Sequence, residues 1–225
     1  MDQYYNHEFE EIFRNHQELR DEEPETLRYR RVWLTWQDLR FSTAERKGLP
    51  GLVPPSDWKE KLSGIWGIAG PGEIVAVAGE NKCSKSLLLN ILAGHVRMDR
   101  GDLLTGTVLV NGEPRGQFWR RICAHVSQDL NELQDLLSVR EHLEFRAELA
   151  LPEAWRPRRR QLVVNKVLEV LDLADIQGKR VKNLNAGEKR KLKIGQALVG
   201  LPRVLLIDEP LSDLDPTMSL DLMKN

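Results

Sequence analysis

Apolar positions change period several times along the chain, and each change predicts an element. Val32, Leu34 and Trp36 alternate with polar residues, the period-2 pattern of a half-buried strand. Gly48 to Ser56, with three prolines, reads as a loop, and Leu62 to Ile68 predicts a second extended segment. Pro71-Gly72 then leads into the apolar run Ile74 to Ala78, which predicts a strand, and a leucine-rich helix is expected over about Lys85 to Ala93. Thr107-Val-Leu-Val before Asn111-Gly112 predicts a strand ending in a hairpin turn. Ile122 to Val126 predicts another strand. The period then becomes helical over Val139 to Leu149, and Val164, Val167, Leu168 and Leu171 form an i, i+3, i+4, i+7 face. Asn185 and Glu188 form a capping box that sets a helix running to about Leu198. Val204 to Ile207 predicts a buried strand ending in Asp208-Glu209-Pro210. Strands alternating with helices predict an α/β core with a parallel sheet, its ligand lying beyond the strands' carboxyl ends.

Composition narrows this little. With 225 residues, 41% apolar and 30% charged, the chain suits a soluble protein with one large domain or two small ones. A net charge of −1 gives no global argument for nucleic acid or lipid. Cys83 and Cys123 are too few for a disulfide framework, so a reducing cytosolic setting is expected. No apolar run approaches the length needed to span a bilayer, and the N-terminus is not a signal peptide. Residues 1–30 carry nine Asp/Glu against four Lys/Arg, which suggests an acidic extension, either mobile or a short surface helix. The basic run Trp155 to Arg160 reads as a solvated loop face, or as a contact for anionic lipid or a partner.

The chemistry centres on Gly79-Glu-Asn-Lys82-Cys-Ser84-Lys85-Ser86. A strand, a loop ending in Lys-Ser and a helix is the plan of a P-loop, in which backbone N–H groups and the helix dipole face an anion. Lys85 would reach the terminal phosphates and the Ser86 hydroxyl would ligate Mg²⁺. Ser84 stands at the second glycine of G-x-x-x-x-G-K-[ST], and the alternative is an ordinary strand-to-helix turn. Asp208 and Glu209, ending an apolar strand, offer one carboxylate for Mg²⁺ and one to polarise a water, or simply cap a turn.

The order of segments resembles the nucleotide-binding domain of ABC transporters, and within them the eukaryotic G-type half-transporters. The resemblance runs from about Trp33 to the C-terminus. It is carried by Ile68 to Ile74, Leu87 to Gly94, Gly106 to Gly112, Ala124 to Asp129, Leu137 to His142 and Leu205 to Pro210. It implies a P-loop NTPase core over residues 31–128 and 200–225, an antiparallel β subdomain, and a helical signature subdomain over about 129–199. The family's core runs further than this chain, which makes the chain a fragment, a truncated product or a stand-alone remnant.

Residue by residue, the resemblance implies that Gly79, Asn81, Lys82, Cys83, Ser84, Lys85, Ser86 and Leu87 hold the phosphates of ATP. Gln128 looks like the Q-loop glutamine, which reaches metal and water and couples to the membrane domain. Asp208 and Glu209 look like the Walker B aspartate and the catalytic glutamate, so Mg²⁺ would be held by Ser86, Gln128 and Asp208. Asn185, Ala186, Gly187 and Glu188 correspond to the signature, and Ser212 to Asp215 to the D-loop. In the family two such domains sandwich two ATPs and drive transmembrane helices. A second nucleotide-binding domain, a transmembrane domain and the cytoplasmic face of a membrane are therefore expected, and nucleic acid is not.

The sequence also departs from the family. Lys82 and Ser84 replace loop glycines, which at roughly 1–3 kcal/mol per strained position would weaken affinity. The signature has Asn185 and Ala186 where serine and glycine are usual, and the D-loop has Asp213 at its usual small residue. None of His7, His16, His95, His125 or His142 stands where the switch histidine belongs. Phe41 is the candidate to stack on adenine. An ATPase with weak or partner-dependent hydrolysis is expected. The alternative is a catalytically impaired regulatory remnant that binds nucleotide or a partner.

Overall fold

The computed structural model describes residues 31–45, 57–79, 81–99 and 101–210. The acidic 1–30 segment, the Gly48 to Ser56 loop and the Ser212 to Asp215 segment lie outside the described residues. The chain divides into two compact units, Glu25–Arg120, and Met1–Pro24 with Arg121–Asn225.

The Glu25–Arg120 unit holds an antiparallel sheet of β1 (Leu34–Glu45), β2 (Asp57–Ala69), β3 (Leu103–Val110) and β4 (Glu113–Pro114), in the order β2-β1-β3-β4. The alternation read at the start of β1 continues with a change of phase. Leu34 and Trp36 are buried, and so are Leu39 and Phe41, on the opposite parity. A bulge between Trp36 and Leu39 inserts the extra residue, and Asp38 sits there at φ +47°. Opposite it, Gly106 has φ +94°, and a Cβ there would lie 2.4 Å from the Asp38 carbonyl oxygen. Only glycine lets the two backbones approach this closely. Asn111 at φ +53° and Gly112 at φ +82° make the expected hairpin turn between β3 and β4.

In the same unit α1 (Lys82–Ala93) buries Leu88, Leu89, Ile91, Leu92 and Ala93. Its C-terminal carbonyls are covered from nearby. The Arg115 guanidinium donates to Ile91 and Leu92, and the Trp119 indole N–H to Leu92 at 3.0 Å. A cation there also opposes the negative end of the helix dipole.

The second unit carries β5 (Cys123–Val126) and β6 (Val204–Ile207), which pair in parallel with Val126 opposite Ile207. The short α2 (Trp119–Ile122) precedes β5. Three helices form the apolar body of the unit: α3 (Val139–Ala150), α4 (Pro157–Val170) and α5 (Ala186–Val199). Leu143, Val164, Leu168 and Leu192 sit at its centre, each at most 2% exposed. The predicted capping box of Asn185 with Glu188 opens α5, and α3 starts with a second one, Ser138 with Glu141, that was not predicted.

Two expectations need correcting. Ile74 to Ala78 is not a strand but irregular chain, with Ile74 98% exposed. A β-branched run becomes a strand only when a neighbour completes its hydrogen bonds, and this one belongs to neither described sheet. The basic run is the start of a helix rather than a loop, with Arg156 and Arg158 exposed as a solvated face would be. Pro157 opens α4, Arg159 lies 3.4 Å over the Trp155 ring, and Arg160 pairs with Glu148 at 2.6 Å.

Candidate functional site

The expected site residues fall in both units. In the first, α1 begins three residues before the predicted Lys85, because Lys82, Cys83 and Ser84 are all better helix formers than glycine. Asn81 is the N-cap, its side chain accepting from the Cys83 N–H at 3.1 Å. The Ser84 and Lys85 amides also bond to Asn81, through its carbonyl, at 3.2 and 3.3 Å. Amides that would cradle a phosphate are thus engaged within the turn. The Ser84 hydroxyl donates to the Lys61 carbonyl on β2 at 3.0 Å.

Lys85 reaches back over the turn, its ammonium donating to the Gly79 carbonyl at 2.9 Å. Among the described residues the Ser86 hydroxyl makes one long 3.4 Å bond, to the Lys82 carbonyl, and Leu87, Cys83 and Lys82 complete the helix start. An ammonium and a weakly held hydroxyl at a helix N-terminus suit a phosphate–Mg²⁺ pair, which takes few protein ligands. Phe41 is corrected here: it is buried at 4% exposure, carried inward by the bulge in β1, and offers no face to a base.

In the second unit, Gln128 and Asp208 leave the same end of one parallel strand pair. Asp208 donates its N–H to the Val126 carbonyl at 2.9 Å, two residues before Gln128. Asp208 is 5% exposed. A carboxylate at the end of a strand is the kind of oxygen ligand a hard cation takes, and Mg²⁺ fits. Glu209 follows at φ +44°, a left-handed conformation uncommon for a side chain of its size. No group of three or more His, Cys, Asp or Glu suited to a metal occurs among the described residues.

The Asn185–Glu188 turn stands at the head of α5. Asn185 accepts from the Glu188 N–H at 2.8 Å, and the Glu188 carboxylate returns the contact to the Asn185 N–H at 2.8 Å. Lys179 pairs with Glu188 at 2.9 Å. Asn185 and Ala186 are exposed, and Ala186 lines an open hollow with Lys189, Leu130 and Asn131. Polar groups that sequence reasoning passed over lie close by. Arg190 and Lys193 on α5 are buried and grip the chain on either side of Gln128. His142 is buried between the Gln134 N–H at 2.8 Å and the Gln196 amide at 2.5 Å. Only their i, i+3 spacing beside the turn hinted at the first pair.

The family model described as ABC transporter matches residues 63–212. ABC transporter G family member 22 of Dictyostelium discoideum is 34% identical over 205 residues, covering 87% of this chain and 31% of that protein. ABC transporter G family member 1 of Petunia hybrida is 31% identical over 198 residues, covering 86% of this chain and 29% of its own. The chain thus spans about a third of these relatives' length or less. Among solved structures, cbiO1 from Clostridium perfringens, part of the ABC transporter complex cbiONQ, has the same fold. It aligns with a TM-score of 0.67 at 24% identity, over 85% of this chain and 70% of that one. No described helix is long and apolar enough to cross a membrane.

Proposed function

The chain belongs to the ABC transporter family, and from that premise we propose that it is the ATP-binding domain of a G-type transporter, binding Mg²⁺-ATP and coupling its hydrolysis to transport. The observation that carries this reading is the buried carboxylate of Asp208 at the shared end of β5 and β6, beside the Gln128 segment. The proposed domain spans residues 31–225, with residues 31–128 and 200–225 as core and about 129–199 as helical subdomain.

In this reading Lys85 releases the Gly79 carbonyl and turns its ammonium to the terminal phosphates. Ser86, Gln128 and Asp208 hold Mg²⁺, which when bound neutralises phosphate charge and orients the oxygens. Gln128 aligns a water, and Glu209 takes its proton as general base. Gly79 and Asn81 to Leu87 bind the nucleotide on one face. A second nucleotide-binding domain would present its own Asn185 to Glu188 to the γ-phosphate. A transmembrane domain would anchor the pair at the cytoplasmic face of its membrane and carry the substrate path; nucleic acid has no part.

Hydrolysis would be weak, or would depend on the partner, because the turn at Asn81 already engages three amides. That same observation favours a second reading, a regulatory module that holds nucleotide or a partner without turnover. Titration of the chain with Mg²⁺-ATP, alongside Lys85→Ala and Asp208→Asn, tests nucleotide binding, and phosphate release measured on the same samples separates the two, since only the ATPase turns over. Saturable binding lost in Lys85→Ala, with Mg²⁺ dependence lost in Asp208→Asn, is expected. No binding at millimolar ATP would overturn the ATPase reading.

A further inference from the structure

We propose that Lys193 is a positioning residue that, together with Arg190, ties the Gln128 segment to the helix that begins at the Asn185–Glu188 turn. Its functional meaning rests on the ATP-binding reading above, while its geometry does not.

Lys193 is 5% exposed, which for an ammonium requires full compensation. It has three N–H donors and three acceptors. These are the Ser127 hydroxyl at 2.7 Å, the Glu132 carboxylate at 2.7 Å and the Asp129 carbonyl. One turn earlier on α5, Arg190, 1% exposed, donates to the Ser127 carbonyl at 3.2 Å. The carbonyls of both neighbours of Gln128 are therefore held by two cations from one helix. The Asp129 carboxylate closes the far side of the turn by accepting from the Asn131 N–H at 2.9 Å.

A surface lysine beside Glu132 would contribute little and order nothing. A buried one is hard to justify as stabilisation, since an apolar replacement of similar volume often serves as well. What Lys193 and Arg190 provide is placement. The segment that carries Gln128 cannot shift without α5, and α5 begins at the turn expected to meet a partner's nucleotide. A displacement at that turn thus reaches Gln128 through two side chains.

The test compares the whole chain with Lys193→Met, which keeps the aliphatic stem and removes the ammonium. Without nucleotide, amide exchange across residues 127–132 is expected to rise about tenfold while 192–199 stay unchanged, the behaviour of a locally released segment. With Mg²⁺-ATP, kcat is expected to fall on the order of tenfold or more with KM within about twofold, as when a positioned group is displaced. Ser127→Ala removes one acceptor without touching α5, and should raise exchange in the same segment if Lys193→Met folds poorly. Unchanged exchange in both variants overturns the tie. Faster exchange with unchanged kcat overturns the positioning role and leaves a structural lysine. A wild-type chain inert towards ATP sinks the ATPase reading separately, and the exchange measurement still decides the tie.

Discussion

The Ser84 hydroxyl donates to the Lys61 carbonyl at 3.0 Å, so a residue standing where the family's loop has glycine is built into the outer edge of β2. Together with Lys82 as first residue of α1, it turns flexible loop into helix. Restoring both glycines in Lys82→Gly/Ser84→Gly should cost stability, about 1 kcal/mol at each helical position, because glycine orders at greater entropic cost. The freed turn should bind Mg²⁺-ATP about tenfold tighter if the amides engaged at Asn81 are what weakens the site. Calorimetric titration and denaturant unfolding read the two effects. Affinity unchanged would show that the glycine losses are not what limits binding.

Asn185 performs for α5 what serine would. Its side chain accepts from the Glu188 N–H at 2.8 Å, and asparagine and serine are comparable N-caps. Asn185→Ser should therefore leave the unfolding midpoint nearly unchanged, whereas Asn185→Ala should lose about 1 kcal/mol. If Asn185→Ser alone raises ATP turnover in the presence of a second domain, the asparagine is a functional handicap with no structural purpose.

Elements whose signal is local could be read from the chain alone. The capping box of Asn185 with Glu188, the Asn111-Gly112 turn and the face of Val164, Val167 and Leu168 depend on neighbours within a few residues, and all are present. Features set by tertiary partners could not. The bulge at Asp38 exists because Gly106 lies across from it, and it alone moved Phe41 from candidate ligand to core. The run Ile74 to Ala78 has the composition of a strand, but pairing decides. In the candidate site, the place of Asp208 at the end of an apolar strand was legible in the chain, whereas Gln128 was singled out by the family resemblance. Arg190 and Lys193 were not legible, since charged residues on a helix usually face water.

His142 makes α3 sensitive to pH. Its Nε2 accepts from the Gln134 N–H at 2.8 Å, so the neutral ring carries its proton on Nδ1 and the Gln196 amide must present oxygen to it. Burial pushes the ring's pKa below its ordinary 6.5. The folded state binds the proton less readily than the unfolded chain, so stability is whole above pH 6.5 and declines as pH falls through that value. Glu141 adds a second decline at lower pH. The Ser138 N–H and hydroxyl hold its carboxyl below the ordinary 4.5, so its contribution goes only as pH drops past that range. Urea midpoints across pH 5 to 8 should fall on the acid side, and His142→Leu should flatten that slope while lowering the plateau. A slope unchanged in the variant would assign the transition elsewhere.

Gly195 marks where α5 meets its neighbours most closely. A Cβ there would stand 3.1 Å from Leu171, 3.2 Å from Leu143 and 3.2 Å from Val167. Gly195→Ala gains about 1 kcal/mol in helix propensity, against about 1–3 kcal/mol for forcing three apolar side chains apart. A net loss is expected in denaturant unfolding. A gain would mean that the leucines shift freely, and that the body of the helical unit is looser than its buried contacts imply.

Glu209 holds its backbone at φ +44°, and a left-handed residue other than glycine costs roughly 1–2 kcal/mol. Glu209→Gln keeps the shape and that backbone cost but cannot take a proton. If Glu209 is the general base, turnover should fall on the order of a hundredfold or more with Mg²⁺-ATP affinity preserved, so that nucleotide stays bound longer. Glu209→Gly relieves the backbone as well, and should unfold at higher denaturant while turning over no faster than Glu209→Gln. Single-turnover measurements on both variants separate the carboxylate from the conformation. Turnover equal to wild type in Glu209→Gln would remove Glu209 from the reaction and leave the left-handed residue as a means of ending β6 at Pro210.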